Sequence, residues 1–273
     1  MATISEDKDP NPPNAGEMVE IRLIRHGQTI GYHADLGLTD LGRQQAAAKA
    51  AELAGTLRPG EPVRIVHAPL VRAAETAGEI ARGLVAAGFG LAGTDPTVDR
   101  RFDNFRLWCG NRALDPTEAY AVYAEALEGD RSSRPPWFDE MDQFWKILAA
   151  GEDPITYWLT QPTQHWEPAA LAVRRFWHGM VGSARDAVPG LRLLVATHSG
   201  CIRAVAAAAF GYDPGEPENT EDVRIVLPVG GERGRLTYRG RTVEVVAPTT
   251  AAPPWVSDVT SHHQAEEPTP ARL

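Results

Sequence analysis

The sequence predicts an α/β fold: a three-layer α/β/α sandwich around a mainly parallel sheet, with a helical cap insertion. Three observations carry that prediction. From residue 19 onward, strand-like runs alternate with helix-like runs. The strand-like runs are nearly continuous in apolar residues, as strands covered on both faces must be. The alternation is broken once, over about residues 100–188, by a stretch dominated by helix-forming and aromatic residues.

Taken in order, VEIRLIR (19–25) is a β-rich run that ends at His26. Residues 38–57 have helical composition, with Thr39 as N-cap candidate and a long alanine-rich body. VRIVH (63–67) is a second short strand, and Pro69 suits the first turn of the helix that follows it. LRLLVAT (191–197) is a third strand, succeeded by the apolar helix SGCIRAVAAAAFG, which Gly211 closes. Over 223–248, VRIVLPV, RLTYRG and TVEVVAP read as short strands, the last two a hairpin across Arg239 and Gly240. Within the interruption, residues 100–116 are loop-like. A helix is expected around 117–128, a break at DRSSRPP, and further helices around 137–150 and 167–187. Five of the seven tryptophans fall between 137 and 177, at Trp137, Trp145, Trp158, Trp166 and Trp177, either packing the cap or walling a ligand.

The polar, proline-bearing residues 1–17 and 250–273 read as tails, which makes His262 and His263 solvated side chains and leaves one domain over 18–249. Composition narrows the function. Subtracting 36 acidic from 27 basic residues gives a net charge of −9, with 43% hydrophobic residues. That balance fits a soluble globular protein and argues against nucleic-acid binding, which draws on basic surface. With no stretch of eighteen apolar residues, no membrane association is expected, and with no signal-like segment in the first seventeen residues the expected location is cytoplasmic. Cys109 and Cys201 are too few for a secreted disulfide framework, and no Cys–His spacing resembles a metal site. No cofactor is implied. Monomer and homodimer are both open.

The chemistry gathers at three strand ends. The first strand runs into Arg25-His26-Gly27, the second into His67-Ala68-Pro69-Leu70-Val71-Arg72, and the third into Thr197-His198-Ser199-Gly200. In an open α/β sheet, ligands bind beyond the carboxyl ends of the strands, so two histidines and two arginines are expected at one crevice. A guanidinium offers planar paired donors matched to phosphate oxygens. A neutral imidazole can attack phosphorus and hold the phosphoryl group covalently.

Four stretches, LIRHGQT (23–29), LTDLGRQQA (38–46), HAPLVRAAETA (67–77) and ATHSGCIRAV (196–205), together resemble the histidine phosphatase superfamily, on its phosphoglycerate-mutase-like branch. The resemblance spans roughly 19–248. It implies that His26 is phosphorylated and that Arg25, Arg72 and His198 bind the transferring phosphoryl group. Three positions depart from the family pattern. Tyr32 stands where Asn is often found, Ser199 follows His198 where Gly is common, and the position of the usual acid glutamate reads Asn104. Asp103, one residue away, is either the general acid or a loop residue making local turn hydrogen bonds. Glu221 is the next candidate acid. Cys201 is expected to be a packed small residue rather than a nucleophile. His33, His67, His165 and His178 lack a second ligand at metal-like spacing.

The expected function is thus a metal-independent phosphatase acting on a small phosphorylated metabolite through phosphohistidine. Three alternatives stand beside it: a phosphomutase, a member recruited to non-phosphatase chemistry, and a protein that binds a phosphorylated ligand without turnover.

Overall fold

A computed structural model describes residues 18–93, 95–185 and 187–248. The segments expected as tails, with His262 and His263, lie outside the described residues. The first strand, β1 (Met18–Arg25), is followed by α1 (Asp40–Ala54), β2 (Val63–His67) and α2 (Val71–Ala86). After a short strand β3 (Thr97–Val98) and a single 3-10 turn, the chain makes a small hairpin of β4 (Leu107–Cys109) and β5 (Arg112–Leu114). Helices α3 (Pro116–Glu128), α4 (Phe138–Ala149), α5 (Pro154–Thr160) and α6 (Ala169–Arg185) come next. The chain then returns to the sheet through β6 (Arg192–Thr197), α7 (Ser199–Phe210) and β7 (Asp222–Pro228), and ends in β8 (Arg233–Tyr238) and β9 (Arg241–Val246). No helix among the described residues is long and apolar enough to cross a membrane.

The seven-stranded sheet has the order β3-β2-β6-β1-β7-β8-β9. Its first four strands are parallel, whereas β7, β8 and β9 add as antiparallel neighbours. The mainly parallel three-layer sandwich is therefore present. Alternation along the strands sorts their side chains onto two faces. Ile24, Ile65, Leu194 and Ala196 pack with Ala50, Leu53, Ile80 and Leu84 of α1 and α2. Leu23, Val66, Leu193 and Val195 point the other way, into a cluster with α6 and α7. The aromatic residues of the interruption, Trp137, Phe138, Phe144, Trp145, Trp158 and Trp166, belong to that same cluster. The segment expected as a cap is thus packed on the sandwich without a core of its own, and α6 lies against α7 and β7.

Several boundaries shift for identifiable reasons. Pro69 sits two residues before α2, whose N-cap is Leu70. Helix α5 was not expected; Asp153 caps it through the Ile155 and Thr156 amides, with Pro154 in its first turn. The β4–β5 hairpin turns at Gly110, whose φ is 66°. At the other end, Gly211 closes α7 in the left-handed conformation, and Arg239 (φ 47°) and Gly240 (φ 74°) make the anticipated hairpin.

Thr39 caps α1 by accepting from the Gly42 amide at 3.0 Å. At this point the helix meets the loop after β1. A Cβ on Gly42 would lie 2.1 Å from the Gln28 carbonyl oxygen, and one on Gly27 would lie 2.4 Å from the Gly42 carbonyl oxygen. Each glycine removes a methyl that the other backbone would strike. Gly42→Ala is expected to lower stability by roughly 1–3 kcal/mol, the range for forcing a methyl into a filled space. Chemical denaturation reads this directly, and an unchanged midpoint would show that the loop yields without cost.

Candidate active site

The register of the sheet assembles the site. Arg25 and Thr197 are Cα partners across β1 and β6, so the residues that follow them, His26 and His198, leave the sheet side by side. The His26 amide donates to the Thr197 carbonyl at 2.9 Å, and the two imidazole rings stand edge to face with centroids 5.4 Å apart. Neighbouring β2 ends in His67, and Arg72 follows in the first turn of α2. Arg25, His26, Arg72 and His198 all line one cavity of about 380 Å³.

Both histidines are buried and neutral. Burial pushes the His26 imidazole well below its usual value, and the charges of Arg72 and Arg25 push in the same direction. For His198 the causes are burial, Arg72, His26 and then Arg106 and Arg175. His26 Nδ1 lies 2.8 Å from the Gly27 carbonyl oxygen. Because a carbonyl only accepts, this nitrogen carries the hydrogen and leaves the Nε2 lone pair free. The Gly27 amide donates to Thr76 Oγ1, and Asn219 Nδ2 donates to the His26 carbonyl, so the backbone on both sides of the ring is held.

The arginines are clamped by carboxylates. Arg72, 2% exposed, reaches Asp115 Oδ2 with Nη2 at 3.2 Å and Asp35 Oδ1 with Nη1 at 3.3 Å. Asp115 is wholly buried and caps α3 through the Glu118 amide, in a reciprocal capping box. Arg25 donates to the Pro217 carbonyl, pairs with Glu216 at 3.1 Å, and donates to Tyr32 Oη at 3.4 Å. The Nε atoms of Arg25 and Arg72 and both ring nitrogens of His198 are buried with no hydrogen-bond partner among the described residues. Orphaned donors of this kind on two cations, set around a neutral imidazole lone pair, suit the oxygens of a tetrahedral anion.

Asp103 is engaged within its own loop. Its Oδ1 accepts from the Asn104 amide and its Oδ2 pairs with Arg106, and it does not line the cavity. Asn104 does line the cavity; its Nδ2 donates to Asp115 and its Oδ1 accepts from the Phe105 amide. Glu221 is also engaged elsewhere. Burial would raise its carboxyl, but the Arg239 hydrogen bond and the Glu218 amide hold it below its usual value. Cys201 is packed, its thiol pushed up to about 12 by burial. His67 is buried with Nδ1 2.8 Å from the Ala68 carbonyl oxygen, His165 lies 3.4 Å from Glu140, and His33 stacks on Tyr120 and Trp145. No group of three or more His, Cys, Asp or Glu side chains among the described residues is arranged to hold a metal ion.

Sequence reasoning missed Asp35, Asp115, Arg175 and Glu216. Asp115-Pro116 followed by Glu118 was legible as a helix start, but nothing in it signals contact with an arginine forty-three positions earlier. Arg175, from α6, donates to the carbonyls of Arg101, Asp103 and Asn104 and so pins the loop below His198.

A profile of the family described as Histidine phosphatase superfamily (branch 1) matches residues 21–146. No curated protein matches the sequence. Among solved structures, Mycobacterial hydrolase 1 aligns with 19% identity and a TM-score of 0.52, covering 83% of this chain and 100% of that one. A phosphoglycerate mutase from Bacillus anthracis str. Sterne aligns with 16% identity and a TM-score of 0.50, covering 83% of this chain and 94% of that one. At such identities the likeness establishes the shared fold. The chain thus shares the fold of these structures, and over residues 21–146 it is similar to the histidine phosphatase superfamily.

Proposed function

We propose that the chain is a metal-independent phosphomonoesterase acting on a small phosphorylated metabolite through a phosphohistidine at His26. The observation that carries this reading is the set of buried, unpartnered donors on Arg25, Arg72 and His198 around the free Nε2 of His26. A phosphoryl group seated there meets planar donors on its equatorial oxygens, and phosphoryl transfer depends chiefly on such positioning and charge stabilisation. The His26 Nε2 lone pair forms the N–P bond as the P–O bond to the leaving group breaks. Water then attacks the phosphohistidine, which releases inorganic phosphate and restores the neutral imidazole. The cavity's carboxylates are committed or open to solvent. Asp153 and Glu216 pair with Arg203, Glu216 also with Arg25, and Glu152 is exposed. A protein acid for the leaving oxygen is therefore not assigned, and Asp103 serves the reaction through the loop it closes. Hydrolysis is preferred to phosphomutase action because the wall facing the phosphoryl end is largely apolar, with little to retain a polar intermediate for return transfer.

Acid-quench-sensitive, alkali-stable label from a radioactive phosphate ester is expected on His26 and absent in His26→Ala. A stable label on another residue would reassign the nucleophile. For Arg72, both Arg72→Ala and Arg72→Lys are expected to lower kcat/KM by about 10²-fold or more, since a point charge does not reproduce the paired donors. Steady-state kinetics that recover in Arg72→Lys would reduce the role of Arg72 to charge alone.

The neutral histidines also set a pH dependence. Their folded values lie below the ordinary 6.5, so below that pH the unfolded chain binds more protons than the folded one. Stability is expected to be undiminished by this effect above pH ~6.5. As pH falls below it, each histidine removes up to about 1.4 kcal/mol per pH unit until its folded value is reached. Denaturant unfolding at pH 8, 6 and 5 measures the loss, and His26→Gln should make the decline shallower. An identical slope in that variant would show that His26 is not titrating.

A further inference from the structure

The cavity lining is of two chemical kinds. Its cations, Arg25 and Arg72, stand at the phosphoryl end with His26 and His198. The apolar part of the lining is Phe105, Phe144, Trp145, Leu148, Pro154 and Ile155. Of the five clustered tryptophans, Trp145 alone lines this wall, while Trp158 stacks on Phe105, with ring centroids 4.1 Å apart and planes at 17°. Phe144 is backed in turn by Trp166 at 5.1 Å. The lining rings are thus braced by further rings and present fixed flat surfaces.

The charge at the mouth of this half is negative. Glu152 is exposed and its carboxylate has no hydrogen-bond or ion-pair partner among the described residues. Asp153 pairs with Arg203, and although burial would raise its carboxyl, the Arg203 hydrogen bond holds it below its usual value, so it is ionised. Among the described residues, Arg25 and Arg72 are the only arginine or lysine side chains that line the cavity, so no further cation lines it to receive a second anionic group. A carboxylate brought there would lose its water against hydrocarbon and face like charge.

Resting on the phosphatase reading, we propose that the leaving-group half selects an aryl phosphate monoester and rejects phosphates whose leaving group carries a carboxylate. The chemistry agrees with the recognition. Aryl alcohols depart with little need of a protonated side chain, and the carboxylates on this cavity are ion-paired or solvent-exposed.

Non-hydrolysable phosphonates separate binding preference from turnover. Titration calorimetry of the full chain with 2-naphthylmethylphosphonate and with 3-phosphonopropionate is expected to favour the naphthyl ligand by ~10-fold or more, about the effect of one or two well-placed aromatic contacts. Trp145→Ala should erase most of that preference while inorganic phosphate binds as before. Glu152→Lys, a change at an exposed position, should strengthen 3-phosphonopropionate and leave the naphthyl ligand little changed. Equal or tighter binding of 3-phosphonopropionate by the unaltered chain would overturn the proposal, as would an unchanged ratio in both variants. If neither phosphonate nor inorganic phosphate binds, the phosphatase reading itself falls, a result distinct from binding with the wrong preference.

Discussion

Burial of the Arg72 guanidinium beneath the strand ends is the constraint on which the rest of the site depends. A cation so placed is tolerable only with close counter-charge and good geometry. Asp115 and Asp35 supply it from two different segments, one at the start of α3 and one in the loop before α1. Asp115 also caps α3 and accepts from Asn104. The residue that neutralises the arginine thereby fixes the start of the first cap helix and the loop that forms the cavity floor. Both histidines are kept neutral partly by the same guanidinium, so one buried charge orders the surrounding segments and sets the protonation state of the two imidazoles.

Two further arginines extend the arrangement outward. Arg203, on the helix that begins just after His198, binds Asp153, Thr156 and Asp213, and so ties α5 and its preceding loop to the sandwich. Arg175 pairs with Glu167 and gathers three carbonyls of the loop at 101–104. Both sit where irregular backbone crosses the cavity, and a planar five-donor group satisfies several acceptors there at once. Rings of the inserted segment join the sheet's own core, so the apolar wall is rigidly supported by the face that carries α6 and α7.

The four motifs divide between the cavity and packing once their contacts are known. Arg25, His26, Arg72 and His198 face the cavity, whereas Gly27 and Gly42 are there because two backbones touch. Thr39 and Thr76 hold the same junction by hydrogen bonds. Tyr32, a departure from the family pattern, supplies its hydroxyl to Arg25 and its ring to the cavity wall. Asn104, another of the three departures, trades an ionisable group for an amide that braces Asp115.

What the sequence alone determined was whatever a short stretch encodes: the apolar strands, the Thr39 cap, the Gly211 stop, the Arg239-Gly240 turn, and the order of strand ends that brings His26, Arg72 and His198 to one edge. Periodicity, caps and turn residues act over a few positions, so they are legible without the fold. Tertiary structure decided everything that joins distant positions. Asp115 meeting Arg72, Glu216 meeting Arg25, and the choice of Trp145 over four other tryptophans for the cavity wall are settled by helix placement and burial. The contacts of Asp103 were decided in the same way: Arg106 and the Asn104 amide engage its carboxylate, because a buried charge takes the nearest donors that the folded loop supplies.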